Sequence, residues 1–201
     1  MSFVVTRILD FITKQGIIGT EEDVQDFYRY GIEISISSFL NIALVLILGL
    51  VLGHFPESVI YLTLFIFIRS FTGGYHADTY FRCNLLMCVL FVLVILLNKI
   101  AAPYMTFPAY LCLICLAEII ILCLGPIENK NKPISESKKK VLKIVGFVVS
   151  AALNTAGIIL SDTRIGSTVI FTCLIIAILM IAAMIKEKRG EKNEEDQEGS
   201  C

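Results

Sequence analysis

The sequence predicts an all-α, polytopic membrane protein with about six transmembrane helices, and its composition and the distribution of its apolar residues support this fold class. Of its 201 residues, 56% are hydrophobic and 17% are charged, and the mean hydropathy is +0.80. The apolar residues form long runs separated by short charged stretches, and a run of about 18 residues or more fits a hydrocarbon core roughly 30 Å thick. The predicted spans are 34–53, 57–71, 84–101, 108–125, 141–160 and 166–185.

The region before the first span, residues 1–33, is predicted to form amphipathic helices that lie at the membrane interface. Apolar residues recur with helical spacing over 3–12, and again after Thr20, which resembles an N-cap followed by an acidic first turn. Ordinary packing against the helical bundle is the alternative for both helices. Residues 34–185 are then the membrane domain.

The second span is the weakest of the six predictions. Its uncharged stretch, Val59–Ile68, would rise only about 15 Å as a helix. The segment can cross the membrane if its helix extends through Phe55 and if Arg69 snorkels to the interface. A re-entrant hairpin is the alternative.

The distribution of positive charge predicts the orientation of the chain. If the N-terminus is cytoplasmic, 15 of the 17 Lys and Arg residues lie on the inner side, and only Lys99 and Arg164 lie outside. This asymmetry favours an even number of spans with both termini inside. It also predicts that loops 70–83 and 126–140 are both cytoplasmic. The charged tail, 186–201, is expected to be solvated and largely disordered.

Charge and cysteine usage argue against several classes of function. The net charge is −1, and no basic stripe with interleaved aromatic residues suggests nucleic-acid binding. Seven cysteines are an odd number, which argues against a disulfide framework, and five of them lie within apolar runs as small hydrophobic residues. The two histidines lie on opposite sides of the predicted membrane without an acidic cluster, so we expect neither a metal site nor a cofactor.

The polar loop between the second and third spans contains both a histidine and a cysteine. Gly73 and Gly74 break the helix, His76 follows, and Cys83 lies at the start of the third span. A cysteine peptidase needs a thiolate nucleophile and an imidazole that takes its proton. The alternative is a loop histidine that is satisfied by lipid headgroups and a cysteine that merely lies at a helix start.

The spacing of these two residues constrains how they can meet. On one continuous helix, side chains seven residues apart lie about 10 Å apart along the axis, which exceeds hydrogen-bond range. We therefore predict that the helix begins after His76 and that the loop folds the imidazole back toward Cys83. Asp78 is a candidate to orient the imidazole, with a helix N-cap or a solvated acid as its alternative.

Polar residues also occur inside the predicted spans. Glu118 lies in the middle of the fourth span, where an ionisable group is usually paired or functional. It is predicted to be protonated or to bond Asn154. Gly146, Ser150 and Asn154 recur at four-residue spacing, which indicates first a helix-packing face and second a site. His54 is predicted to be a turn residue on the outer side.

The residues of the polar loop resemble a known family. Arg69, the run Gly73-Gly74-Tyr75-His76-Ala77 and Cys83 are similar to the signature of the accessory gene regulator B (AgrB) family of quorum-sensing membrane peptidases. The block 126–133, followed by the run Lys138-Lys139-Lys140, resembles the basic cytoplasmic loop of that family. Asn131 is a departure, since some members carry a basic residue there.

The resemblance assigns a role to each matching position. It implies that His76 and Cys83 are the catalytic pair and that the basic loop binds an acidic part of the substrate. The supporting residues would be Arg69, Gly73 and Gly74, with Asp78 as the candidate from spacing, and the substrate-binding residues Lys130 and Lys132.

The resemblance also implies a function and partners. The protein would remove the C-terminal part of an autoinducer-peptide precursor through a thioester on Cys83 and would allow cyclisation to a thiolactone or lactone. Its partners would be the precursor and membrane lipid, and a homodimer is compatible with this function. The competing hypotheses are a small peptide transporter and a non-enzymatic membrane partner of the precursor.

Overall fold

The structure is a computed structural model that describes residues 2–16, 21–72, 79–126 and 135–198. The described part contains seven α-helices and one short 3₁₀ turn, and it contains no strand. The helices are α1 (Ser2–Lys14), α2 (Glu22–Val51), α3 (Phe55–Thr72), α4 (Tyr80–Ile100), α5 (Phe107–Leu124), α6 (Glu136–Ile159) and α7 (Arg164–Glu198), and the 3₁₀ turn is Ala102–Tyr104.

Six of these helices, α2 to α7, are long and apolar enough to cross a membrane. The prediction of an all-α protein with six spans is therefore confirmed, and the protein is a multi-pass membrane protein. Apolar side chains remain exposed on α2 to α6, as expected where the surroundings are lipid rather than water.

The chain divides into two compact units, Met1–Leu44 and Val45–Cys201. In the first unit, α1 is amphipathic. Val5 and Leu9, one turn apart, are buried, whereas Val4 and Phe11 are exposed. This pattern agrees with the amphipathic helix that the sequence predicts for residues 3–12.

The second helix differs from its prediction. The sequence analysis places an interfacial helix before residue 33 and begins the first span at residue 34, but α2 runs without a break from Glu22 to Val51. Gly31 is the only glycine near the expected boundary, and no proline accompanies it. A single glycine weakens a helix by only about 1 kcal/mol relative to alanine, so the helix continues through it.

In the second unit, α7 is the central helix and contacts α3, α4, α5 and α6. Of the six spans it is the most buried. Its hydroxyl groups are satisfied within the helix, since Thr168 and Thr172 donate to the carbonyl oxygens of Arg164 and Thr168 at 2.6 and 2.7 Å. Asn98 on α4 also donates to Thr168 Oγ1 at 2.7 Å, which links α4 to the centre of the bundle.

The third helix resolves the doubt about the second predicted span. It runs unbroken for 18 residues from Phe55 to Thr72, with Arg69 in its last turn. At 1.5 Å per residue it is about 27 Å long, so the extension through Phe55 supplies the missing length. No hairpin interrupts the described stretch.

The C-terminal tail also differs from its prediction. Residues 186–198 continue α7 to Glu198 rather than leaving the helix at the end of the last span. The tail is rich in Glu and Lys, which have high helix propensity and pair favourably three and four residues apart. Its charge predicted solvation, but charge alone did not exclude a helix.

Candidate functional site

The gap between α3 and α4 is where the sequence analysis places the reactive residues. The third helix ends at Thr72, and α4 begins at Tyr80 with Thr79 as its N-cap. The Thr79 side chain accepts a hydrogen bond from the Arg82 backbone N–H at 3.3 Å. The Cys83 backbone N–H donates to the Thr79 carbonyl at 3.1 Å, which places Cys83 at the end of the first helical turn. The prediction that the helix begins after His76 is therefore confirmed.

The side chain of Cys83 meets Arg69 across the α3–α4 interface. The Arg69 guanidinium lies beside the Cys83 side chain, and both residues are half-buried. The guanidinium carbon also lies 5.6 Å from the ring centre of Phe65, one turn earlier on α3. A cation at this distance is attracted by the face of an aromatic ring. Phe65 is buried, so the arginine rests on a fixed aromatic platform beside the sulfur.

Aromatic contacts next to Arg69 and Cys83, further from the α3–α4 gap, fix α3 and α4 to each other. Cys83, Met87 and Phe91 follow each other at four-residue intervals and therefore share one face of α4. Tyr61 on α3 donates a hydrogen bond to the Met87 carbonyl at 3.2 Å, and its ring centre lies 5.4 Å from that of Phe91. Tyr61 and Phe91 are both fully buried. The reactive end of α4 is thus held against α3 by a packed aromatic layer.

Several predicted site residues lie outside the described residues. In the α3–α4 gap these are Gly73, Gly74, His76 and Asp78, and in the α5–α6 connection they are Lys130 and Lys132. Of the predicted site residues, the structure thus brings together Arg69 and Cys83. The meeting of the His76 imidazole with the sulfur stays a prediction.

The second histidine of the chain is distant from Cys83. His54 lies in the turn between α2 and α3, as predicted, and its backbone N–H donates to the Gly49 carbonyl at 2.7 Å. Its Nδ1 lies 3.1 Å from Glu57 Oε1, and both side chains are buried. Phe55 and Arg69 are separated by about 21 Å of helix rise, so His54 is at the other end of α3 from the sulfur.

Gly146, nearly three turns into α6, packs against the end of α3. A Cβ atom at Gly146 would lie 3.2 Å from Thr72 Cγ2 and 3.4 Å from Phe71 Cβ, so the two backbones approach closely. The N-terminal half of α6 therefore contacts the end of α3, beside the α3–α4 gap. Lys138 and Lys140, in the first turns of α6, are exposed.

The polar residues inside the spans form a cluster between α5, α6 and α7. Glu118 Oε1 accepts hydrogen bonds from Ser150 Oγ and Asn154 Nδ2, each at 2.7 Å. The predicted bond between Glu118 and Asn154 is therefore confirmed. Gly146, Ser150 and Asn154 are all buried, which confirms the predicted packing face of α6.

The described residues contain no group of three or more His, Cys, Asp or Glu side chains that is arranged to hold a metal ion. The six cysteines that the structure describes are free thiols. The chemistry that this site offers is therefore that of a cationic side chain, a thiol and the polar loop beside them.

Comparison with known proteins identifies the family. The family model described as accessory gene regulator B matches residues 5–185, nearly the whole chain. The chain belongs to this family. Membership in the AgrB family supports a role in the processing of a quorum-sensing peptide.

Individual AgrB-family relatives are similar at modest identity. Protein FsrB of Enterococcus faecalis is 26% identical over 182 residues, covering 89% of this chain and 74% of that protein. Accessory gene regulator protein B of Staphylococcus intermedius is 28% identical over 128 residues, covering 63% of this chain and 66% of that protein. A putative AgrB-like protein of Lactiplantibacillus plantarum is 24% identical over 177 residues, covering 83% and 80%. No solved structure matches the chain significantly.

The sequence analysis missed the groups that support Arg69 and Cys83. Tyr61, Phe65 and Arg69 recur at four-residue spacing on α3, and this spacing was the available signal that they share a face. In an apolar span, however, two aromatic residues at helical spacing are indistinguishable from ordinary packing. The contact of Gly146 with Thr72 joins distant parts of the chain and has no local signal.

Proposed function

We propose that this AgrB-family protein is a membrane cysteine endopeptidase that cuts the precursor of an autoinducer peptide. In this proposal it removes the C-terminal part of the precursor through a thioester on Cys83 and lets the remaining peptide close into a thiolactone or lactone. The observation that carries the proposal is the contact of the Arg69 guanidinium with the Cys83 sulfur beside the polar α3–α4 gap.

The surroundings of Cys83 suit a nucleophile. The sulfur is half-buried, so a substrate can reach it while bulk water is partly excluded. The guanidinium and the backbone N–H groups of the first turn of α4 both present positive charge on this side. Negative charge on the sulfur before attack, and on the carbonyl oxygen during attack, is stabilised by such fixed positive groups.

We assign the role of general base and acid to His76. Only residues 73–79 separate α3 from α4, so the chain length keeps this histidine at the same end of the bundle as Cys83. His54, the other histidine of the chain, is at the far end of α3. Gly73 and Gly74 give the gap the conformational freedom that the approach requires, and Asp78 is the candidate to orient the imidazole.

The proposed reaction has two steps. His76 takes the Cys83 proton, and the thiolate attacks a backbone carbonyl of the precursor. The C–N bond breaks, the amine of the C-terminal fragment leaves with the proton from His76, and a thioester to Cys83 remains. A thiol or hydroxyl of the precursor then attacks the thioester carbonyl. A thiolactone or lactone forms, and Cys83 is released as a thiol.

The basic residues near the same end provide a site for the acidic part of the precursor. We propose that Lys130 and Lys132 bind it, together with the exposed Lys138 and Lys140 at the start of α6. The packing of α6 on the end of α3 at Gly146 supports a common location for Lys138, Lys140 and Cys83 in this proposal. From the charge asymmetry of the chain, we propose that the Cys83 site is cytoplasmic and that both termini are cytoplasmic.

The test is precursor cleavage by purified protein in lipid vesicles, with the product masses measured. Cys83→Ala should abolish cleavage, and wild-type protein with a precursor that lacks its internal nucleophile should accumulate a mass adduct on Cys83. Cys88→Ser is the matched control, because Cys88 is also half-buried and lies little more than one turn further along α4. We expect Cys88→Ser to cleave at the wild-type rate.

Three results would contradict the proposal. If Cys83→Ala still cleaves the precursor, another group is the nucleophile. If folded wild-type protein binds the precursor uncut, a non-enzymatic membrane partner is the better description. If wild-type vesicles take up the uncut precursor, a peptide transporter is supported instead.

A further inference from the structure

A cluster of polar side chains that the proposed reaction does not use lies inside the bundle. It consists of Glu118 on α5, Ser150 and Asn154 on α6, and Cys173 on α7. Ser150, Asn154 and Cys173 are each at most 1% exposed, and Glu118 is half-buried. On α6 the cluster begins one turn deeper in the membrane domain than Gly146, which contacts the end of α3. It is therefore distinct from the Cys83 site.

The hydrogen bonds of the cluster leave two oxygen atoms unsatisfied. Glu118 Oε1 accepts from both Ser150 and Asn154. Glu118 Oε2 and Asn154 Oδ1 are buried and have no hydrogen-bond partner in the described part of the chain. Both atoms are hydrogen-bond acceptors. Each belongs to one of the two side-chain groups that the hydrogen bond from Asn154 Nδ2 to Glu118 Oε1 already joins. Buried acceptors without donors are rare because each raises the free energy of the fold.

An ionised Glu118 carboxylate would also lack a positively charged partner. No Lys or Arg of the described residues forms an ion pair with Glu118, and a bare carboxylate within the hydrocarbon region is strongly unfavourable. The facing groups on α6, Ser150 and Asn154, are neutral. The titratable group that faces the cluster from α7 is the Cys173 thiol, which lies beside Asn154 and Glu118. It supplies no positive charge.

We propose that this cluster is a binding site for one monovalent cation, a proton or Na⁺, held by Glu118 Oε2 and Asn154 Oδ1. A proton on Oε2 would donate to Oδ1 and close a cyclic pair between the carboxylic acid and the amide. A sodium ion between the two oxygens would neutralise the same charge and satisfy the same acceptors. Either the proton or the sodium ion would link α5 to α6. These are the two helices on either side of the connection that carries Lys130 and Lys132.

The experiment compares the two occupants in purified wild-type protein. One arm measures the thermal unfolding midpoint against pH at constant Na⁺, together with the infrared carbonyl band of protonated carboxylic acids. The other arm measures the midpoint at constant pH while Na⁺ replaces choline at fixed ionic strength. If a proton is bound, a band remains at neutral pH, where exposed carboxyl groups are ionised, and the band and the midpoint fall together as the pH rises further. If Na⁺ is bound, the midpoint rises with Na⁺ concentration.

Two variants assign the effect to the cluster. Glu118→Gln removes the charge of the side chain and keeps its shape. Its unfolding midpoint should therefore not show the wild-type dependence on pH or on Na⁺ concentration, and the infrared band of residue 118 should be lost. Asp162→Asn is the matched control, because Asp162 is an exposed acid between α6 and α7, and it should keep the wild-type response.

The proposal is overturned if the wild-type protein has neither the band nor a sodium response. It is also overturned if Glu118→Gln retains the wild-type response. Should that variant not fold, the infrared band and the sodium series of the wild-type protein decide alone. Neither measurement uses the precursor, so the result is independent of the peptidase proposal.

Discussion

The guanidinium of Arg69, in the last turn of α3, lies beside the side chain of Cys83, in the first turn of α4. The two residues are separated by a polar stretch of 13 residues, and the pairing depends on the packing of the two helices. Phe65 lies under the arginine, and Tyr61 ties α3 to the carbonyl of Met87 one turn beyond the cysteine. The chemistry of the sulfur is therefore tied to the α3–α4 interface.

The first prediction concerns the reactivity of Cys83. Arg69→Leu should slow the alkylation of Cys83 at neutral pH about tenfold, because hydrogen bonds to charged groups contribute roughly 1.5–3 kcal/mol. Arg69→Lys keeps the charge but loses the planar fork, so its rate should lie between the two. The measurement is the alkylation rate of Cys83, resolved from the other cysteines by mass spectrometry.

Arg82→Leu is the control for this prediction. Arg82 precedes Cys83 in sequence but is exposed, so screening by solvent should limit its effect on the sulfur to less than about threefold. If Arg82→Leu slows alkylation as much as Arg69→Leu, the alkylation rate of Cys83 depends on the net charge of the surface and not on the specific contact with Arg69.

The second prediction concerns the contact between α6 and the end of α3. Gly146→Leu should impair precursor cleavage and destabilise the protein by roughly 1–3 kcal/mol, because the added side chain would meet Thr72 and Phe71. Gly31→Leu is the matched control, since a Cβ at Gly31 meets no atom within 4 Å. Thermal unfolding and the cleavage rate should be measured for both variants.

The two glycine variants separate a local effect from a general one. If Gly146→Leu and Gly31→Leu lose stability and cleavage rate equally, any bulky side chain at a helical glycine perturbs this protein. Unchanged cleavage in Gly146→Leu would show that the spacing of α3 and α6 does not control the site.

The sequence was sufficient to predict the number of membrane spans but insufficient to predict some of the helix ends. Long apolar runs identify membrane spans because the thickness of the hydrocarbon core fixes their length. Helix ends depend on weaker signals. Gly31 is tolerated within α2, and the Glu- and Lys-rich tail extends α7, since neither a single glycine nor a high charge terminates a helix.

The candidate site was predictable where its signal was local. Glycines followed by His76 and Cys83 predicted a helix break, and the observed start of α4 at Tyr80 agrees. The Glu118–Asn154 bond was predictable too, because a buried acid in a span needs a partner. The contact of Arg69 with Cys83 and the aromatic layer below it depend on how α3 packs on α4, which no local pattern determines.

The third prediction concerns the hydrogen bond between Asn98 on α4 and Thr168 on α7. A double-mutant cycle with Asn98→Leu and Thr168→Val should give a coupling energy of about 0.6 kcal/mol, and below about 1.7 kcal/mol, as is usual between membrane helices. Unfolding free energies of the four proteins in the same detergent supply the measurement. A coupling near zero would mean that the bond is not formed in the membrane domain.

The fourth prediction concerns the His54–Glu57 pair at the opposite end of α3. Both side chains are buried and lie 3.1 Å apart, so Glu57→Gln should lower the free energy of unfolding by roughly 1–3 kcal/mol. About 21 Å of helix separates this end of α3 from Arg69, so the alkylation rate of Cys83 and the cleavage rate of the remaining folded protein should equal those of the wild type. His54→Gln should give the same pattern if this histidine is structural and is not the base. Cleavage lost in His54→Gln while the protein stays folded would transfer the catalytic role from His76 to His54, and it would require the two ends of α3 to act on one substrate.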